Sequence, residues 1–506
     1  MIFLATIISL IIGCLGIYLY SKINIFKRSN VPHMKPWPIV GNMGSVIFNK
    51  TSLPKLLINY YNSIPQAKYF GFYEFTNPII VICDPELIKS IGIKNFVQFT
   101  NRHGFADENQ DPILGYDLFS LKNDKWHQMR NILTPSFTSS KMKIMFKIIF
   151  QQSDNFINHI FKETKTIEMD MRKSFQKLVI DLIASCSYGI SSNCVNDEEN
   201  DLYILGPRAV NLETLKRKKF FLSMFPKIWK TFGMTFLNKD ITKLFQNIVE
   251  STIMDRKEKN PFISNMIHLM IDGNDKNKNI TLNEMSAQVF IFFLGAFHTT
   301  SGLLTFLCYD LAINPQIQKR LQEEIDSLQE KFKKKLLSNE IIDDDYYKDI
   351  NNLTILDAIV KEALRLHSLV PILERVCSDN FVLPPALPHS KPFTLKRGTM
   401  LWIPAQAIHQ NQNYYNDPNK FDPDRFLKDE KILINTPKYM PFGIGPRNCI
   451  AYRFALLIFK VVVFHFFARC NVNVCSKTPI SLEMSDKTLT NVPKNEIWLQ
   501  VEERKF

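Results

Sequence analysis

A mainly α fold with minor β, forming one large unit behind an N-terminal membrane helix, is predicted by three features of the sequence. Long segments (138–165, 170–189, 240–258, 282–312, 314–336 and 352–368) carry apolar residues at the spacing that turns one helix face into a core. Short β-like runs are few, chiefly PIIVICD at 78–84 and TMLWIPA at 399–405. Finally, no long Gly/Ser or Pro-rich linker and no repeat divides the 506 residues. Length alone would allow about three domains, but this continuity predicts a single one over residues 43–506.

The elements follow in order. MIFLATIISLIIGCLGIYLY has no charged side chain before Lys22, and about 20 apolar residues suffice to cross a hydrocarbon core of about 30 Å. A basic start and a small-x-small cleavage site are both missing, so residues 1–21 are expected to be an uncleaved transmembrane anchor. Lys22, Lys27 and Arg28 follow it, which places the rest of the chain on the cytosolic side. Residues 22–42 predict a basic, proline-rich hinge, in which VPHMKPWPIVGN (31–42), with Pro32, Pro36, Pro38 and Gly41, suits a stiff, non-helical connector. The segment LKRKKFFLSMFPKIWK (215–230) interleaves Lys and Arg with aromatic residues and suits either a membrane interface or an amphipathic helix on the core. GNDKNKN (273–279) and EKFKKKLLSNEIIDDD (330–345) predict surface loop or solvated helix. Between Met285 and Ala312 the chain is apolar enough for a second membrane span. Gly295, His298, Thr299, Thr300 and Ser301 at its midpoint instead favour a helix through the core that lines a cavity.

Composition narrows the function. Nine cysteines, an odd number without paired spacing, do not form a secreted disulfide framework. The net charge of +13 is spread along the chain and accompanies no nucleic-acid module, so a membrane surface or an acidic partner fits better.

The most specific segment is PFGIGPRNCIAYRFA, 441–455. Gly443 and Gly445 permit backbone conformations that other residues avoid. Cys449 then falls at the entrance to an apolar helix, where amide N–H groups favour a thiolate. Such a sulfur can serve as nucleophile, zinc ligand or iron ligand. Zinc needs further Cys or His at close spacing, and a cysteine protease needs a His partner that nothing here singles out. A lone thiolate suffices for haem iron.

The pattern Phe442-x-x-Gly445-x-Arg447-x-Cys449 resembles the haem-binding loop of the cytochrome P450 family, with Ala451 where that family usually has glycine. KEALRLH supplies the family's Glu-x-x-Arg as Glu362 and Arg365, a pair that in isolation would be an ordinary surface ion pair, and FDPDRF supplies Pro423, Arg425 and Phe426. The likeness runs over essentially the whole chain and is greatest to the microsomal branch with insect and vertebrate xenobiotic-metabolising members.

This resemblance implies a haem-thiolate monooxygenase that inserts one oxygen atom from O2 into a lipophilic small molecule. It implies haem b with Cys449 as axial ligand, and electrons from NADPH through a flavoprotein reductase, with cytochrome b5 as a second donor. No nucleic acid is involved. The site is the endoplasmic reticulum membrane, with the catalytic domain on its cytosolic face. Glu362, Arg365 and Arg425 would brace the cysteine loop. Trp126, Arg130, Arg375, Arg447 and Arg102 would hold the haem propionates, and Phe442, Gly295 and Ala296 would pack on the macrocycle. Thr299 would handle oxygen. His298 stands where the family has an acid, and either relays protons or simply packs. Phe292, Phe297, Val370, Ile372, Leu373 and Leu489 are the expected substrate pocket. A haem-thiolate isomerase or dehydratase, or a haem-based sensor, would share the same cysteine.

Overall fold

The structure, a computed structural model, describes residues 23–258, 266–273, 280–337, 343–428, 436–488 and 490–504. The expected anchor at 1–21 and the pocket candidate Leu489 lie outside the described residues.

The apolar periodicities become helices. In chain order these are α1 (Ile25–Arg28), α2 (Leu53–Ser63), α3 (Pro112–Gly115), α4 (Asn123–Leu133), α5 (Ser139–Ile160), α6 (Met171–Ile183), α7 (Asp201–Ala209), α8 (Leu212–Met224), α9 (Pro226–Thr231), α10 (Lys239–Glu258), α11 (Leu282–Ile313), α12 (Pro315–Leu337), α13 (Thr354–His367), α14 (Ala405–His409) and α15 (Tyr452–Arg469). Strands are short. β1 (Tyr69–Glu74), β2 (Asn77–Ile82), β7 (Met400–Ile403) and β4 (Leu373–Val376) form one sheet in that order, β2 and β7 being parallel. β3 (Thr166–Asp170), β9 (Trp498–Glu503) and β8 (Cys470–Asn473) form a second sheet, and β5 (Phe381–Leu383) pairs with β6 (Phe393–Leu395).

Helix α11 is the axis. A capping box starts it: Thr281 Oγ1 accepts from Glu284 N–H at 3.2 Å while the Glu284 carboxylate accepts from Thr281 N–H at 2.8 Å. It is long and apolar enough to cross a membrane, yet 67% of its most apolar window is buried by protein. Helices α6, α10, α13 and α15 pack around it. The core-helix expectation therefore stands over the membrane-span alternative, because neighbouring helices cover its apolar surface.

The connector expected to be non-helical, residues 31–42, carries no helix. Ile25–Arg28 is helical, and Phe26 and Val31 are buried at 1% and 3% exposure against the first sheet. Phe26 lies over Gly71 of β1, where a Cβ would come within 2.3 Å of its ring. A large aromatic and a glycine interlock there, so residues ahead of 31 pack onto the first sheet.

Candidate active site

The cysteine loop is shaped by two glycines. Gly443 (φ +82°) and Gly445 (φ +69°) are left-handed, and a Cβ on Gly445 would stand 1.8 Å from the Gly92 carbonyl oxygen. Only glycine fits at 445. Gly445→Ala is expected to lower the unfolding midpoint markedly in chemical denaturation, by the strain of a left-handed non-glycine plus a backbone clash. Cys449 N–H donates to Phe442 O at 2.8 Å, closing the loop. Ala451, where the resembled family has glycine, sits at φ −96°, a conformation any residue adopts.

Helix α15 begins at Tyr452, so Cys449 lies just ahead of its first turn. The Ala451 amide donates to its sulfur, and Arg130 and Arg102 also favour the thiolate, but burial outweighs all three and pushes the thiol up. The amide at the helix entrance thus acts in the expected direction, against the burial. The thiol is nevertheless accessible to a water-sized sphere.

Four guanidiniums converge on this loop from three other segments and the loop itself. Arg102 Nη2 donates to Arg447 O at 2.7 Å, Arg130 Nη1 to Asn448 O at 3.0 Å, and Arg375, placed by β4, donates through Nη2 to Ile444 O at 3.0 Å. Arg447 itself reaches Thr100 O, Leu118 O and Leu121 O at 2.8, 3.2 and 2.6 Å, with its guanidinium 4.1 Å over the Trp126 ring. Burial first, and then repulsion by Arg102, Arg375 and Arg130, lowers the Arg447 pKa. Arg375 is 1% exposed and its Nε has no partner. Glu374 and Asp117 are the anions acting on this cluster. The donor set therefore has room for a further dianion, which two propionates of a haem beside an accessible thiol would provide.

The bracing residues form one buried network. Arg365 grips Glu362 through two bonds of 2.8 Å, and both side chains are fully buried, so the surface-pair alternative falls. Arg425 Nε (3.2 Å) and Asp422 N–H (2.9 Å) share the Glu362 Oε1. Arg365 Nη1 continues to His409 O at 2.7 Å. His409 Nε2 then accepts from Met440 N–H at 2.9 Å, two residues before Phe442. Because that nitrogen accepts, Nδ1 carries the hydrogen and donates to Ser368 Oγ at 2.7 Å. Sequence reasoning missed His409; its position in IPAQAIHQNQ carries no motif that the argument used.

Burial, reinforced by Arg365, holds the His409 pKa down at about 3, and burial holds His465 at about 4. The unfolded values are near 6.5. Depressed folded values mean that stability is fully present above about pH 6.5 and is lost as pH falls toward 3–4, by about 1.4 kcal/mol per unit per histidine. Urea midpoints at pH 7.5 and 5 should show this loss. His465 Nε2 is buried without a partner, so His465→Leu should raise the pH 5 midpoint most.

Helix α11 displays its midpoint residues on distinct faces. A Cβ on Gly295 would meet nothing within 4 Å, although the helix is buried on either side of it. Thr299, one turn on, donates through Oγ1 to Gly295 O at 2.5 Å. Ala296 and Phe292 are partly buried, Phe292 lying parallel to Phe137 at 5.8 Å. Phe297 is a correction to the pocket: it is 0% exposed and stacks on Phe293. Lying two residues from both Gly295 and Thr299, it points about 200° around the helix from each. His298 is likewise not beside Thr299, its Nε2 lying 2.7 Å from Val210 O. Ile372 is partly buried, Leu373 is buried and lies near Gly443, and Val370 is 41% exposed. A surface cleft of about 560 Å³ between Tyr61, Gln66 and Asn411 shares none of these residues.

The cytochrome P450 family profile matches residues 31–499. This chain is a cytochrome P450. It is 33% identical to cytochrome P450 9e2 of Blattella germanica over 95% of the chain and 94% of that protein. It is 31% identical to cytochrome P450 6a2 of Drosophila melanogaster, covering 97% and 98%, and 31% identical to P450 9b2 of the same fly, covering 95% of each. The P450 is accordingly an oxidoreductase, a reductase-dependent haem-thiolate monooxygenase that uses haem b and electrons from NADPH and acts on lipophilic molecules. The isomerase and sensor alternatives are not favoured.

Proposed function

We propose that Cys449 is the axial ligand of this P450 and that Arg102, Arg130, Arg375 and Arg447, with Trp126, form the cationic seat for the propionates. The observation that carries this reading is the convergence of four guanidiniums, those of Arg375 and Arg447 buried, on the loop that carries Cys449. Haem, when bound, supplies dioxygen activation and oxygen insertion. The protein supplies the rest. Arg102 and Arg130 favour negative sulfur at Cys449, and the Glu362–Arg365–His409 chain holds the loop in place. The open backbone at Gly295 allows close approach to α11, and Thr299, with its own proton on the Gly295 carbonyl, presents the lone pairs of Oγ1 as acceptors. Phe292, Ala296, Ile372, Leu373 and Val370 would wall the substrate side with apolar surface, which suits lipophilic xenobiotics. To test the seat, Arg130→Ala and Arg375→Ala should each lower haem content per protein severalfold while the far-UV CD spectrum is retained; unchanged haem content in both would remove them from it.

The chain also carries the features of an endoplasmic reticulum protein facing the cytosol and receiving electrons from a reductase, with cytochrome b5 as a second donor. Residues 1–21 supply the apolar run. Phe221, Met224, Phe225 and Ile228 on α8 and α9 are exposed beside Lys227 and Lys230, and Phe48 is 65% exposed. Lys216 of α8 binds Val46 O and Asn49 Oδ1, on either side of Phe48, so the start of α8 packs beside the segment that exposes Phe48. Such a surface suits the lipid interface. Deleting residues 1–21 should shift most of the protein out of the membrane pellet, with a residual bound fraction and unaltered haem content.

A further inference from the structure

We propose that His298 is a positioning residue: its Nε2–H pins the α7–α8 junction to the central helix, and it relays no proton. Val210 is the residue that caps the C-terminus of α7, and its carbonyl is among those a helix leaves without an intrahelical donor. Val210 is 0% exposed, so water does not serve it, and His298 Nε2 lies 2.7 Å away. A carbonyl only accepts, so Nε2 must carry the hydrogen. The lone pair of the neutral ring is then on Nδ1, which is buried with no partner. A relay requires one ring nitrogen to take a proton while the other releases one to an acceptor that can pass it on. Here the Nε2 proton rests on an amide carbonyl, and Nδ1 touches neither acid nor hydroxyl. Burial above all, with the Arg172 cation of α6 nearby, opposes an imidazolium at this place.

The pin works with a second contact. One turn earlier on α7, a Cβ on Gly206 would stand 2.5 Å from Phe293 Cζ. Helix α7 therefore lies on α11 at two points in step, Gly206 on Phe293 and Val210 on His298. Asn211 follows at once and caps α8 by accepting from Thr214 N–H at 2.9 Å. The pinned carbonyl is thus the root of the α8–α9 cover. Elsewhere the cover is held by Lys216 on Val46 O, Asn49 Oδ1 and Asp486 O, by Trp229 Nε1 on Gln110 O, and by Phe236 N–H on Asp111 Oδ2. His298 sets where α8 starts relative to the central helix. That the α8–α9 segment covers the substrate side rests on the proposed function.

Glutamine and glutamate at 298 have the same shape, and only glutamine is a donor at neutral pH, so the pair isolates the bond. In the full-length haem protein, hydrogen–deuterium exchange of the amides of 207–216 should be as slow in His298→Gln as in the parent. It should be about tenfold faster in His298→Glu and His298→Ala, the effect of one lost buried hydrogen bond on local opening. Peroxide released per NADPH should keep the parent's pH profile between about 6 and 8 in His298→Gln. The opposite order, with glutamate matching the parent in peroxide release and glutamine leaking, would identify a proton relay and overturn the proposal, as would equal exchange in all the variants. Failure of the P450 reading would appear separately, as the lack of a thiolate spectrum in the parent protein.

Discussion

Replacing Cys449 with alanine is expected to abolish the long-wavelength band of the reduced carbon monoxide complex and all NADPH-dependent oxygenation. Cys449 is the accessible thiol at the centre of the arginine cluster; Cys83, Cys186, Cys194, Cys308, Cys377 and Cys470 are buried. Desolvation pushes Cys449 up in the absence of a cation, while the Ala451 amide, Arg130 and Arg102 pull it down. That balance describes a sulfur prepared to bind a metal cation and release its proton in doing so. Alanine removes the ligand and leaves the loop closed through Cys449 N–H to Phe442 O, a bond the backbone makes without the side chain. The fold should therefore persist, with far-UV CD and urea midpoint close to the parent's. A variant that kept the thiolate band would end the assignment of Cys449.

Glu362→Ala should be the most damaging change outside the cysteine loop. This carboxylate accepts from Arg365 twice, from Arg425 and from the Asp422 amide, and it is 0% exposed. Truncating it leaves the fully buried Arg365 guanidinium uncompensated, a loss of about 3–5 kcal/mol. A domain with about 5–15 kcal/mol of total stability has little margin for that. The Arg365–His409–Met440 connection would loosen with it, so haem retention should fall along with the urea midpoint. Glu362→Gln, which can still accept at one oxygen, should recover part of both. An alanine variant with parental midpoint and haem content would show that the network does not brace the loop.

Much of this was legible in the chain itself. The helical periods of α10, α11, α12 and α13, the strands β2 and β7 and the turn glycines around Cys449 could be read directly, and the Glu362–Arg365–Arg425 set through the family resemblance. Apolar spacing and left-handed turns are local properties, written within a few residues of where they act. The non-helical connector at 31–42 was legible for the same reason, its prolines being local, whereas the burial of Phe26 was not, because the pocket over Gly71 is made by a strand more than forty residues away.

The sequence by itself determined the fold class, the ligand candidate and the residue types gathered for an anionic cofactor. The tertiary structure alone decided which direction each of those residues faces. Arg447 spends three donors on carbonyls of residues 100–121, Phe297 turns to Phe293, His298 finds a carbonyl 88 residues earlier in the chain, and His409 joins the bracing without any motif. Hydrogen-bond partners and buried faces depend on contacts between segments distant in sequence, and a buried polar group must take whichever partner the packing brings to it. That choice is made by the assembled core, so no stretch of sequence carries it alone.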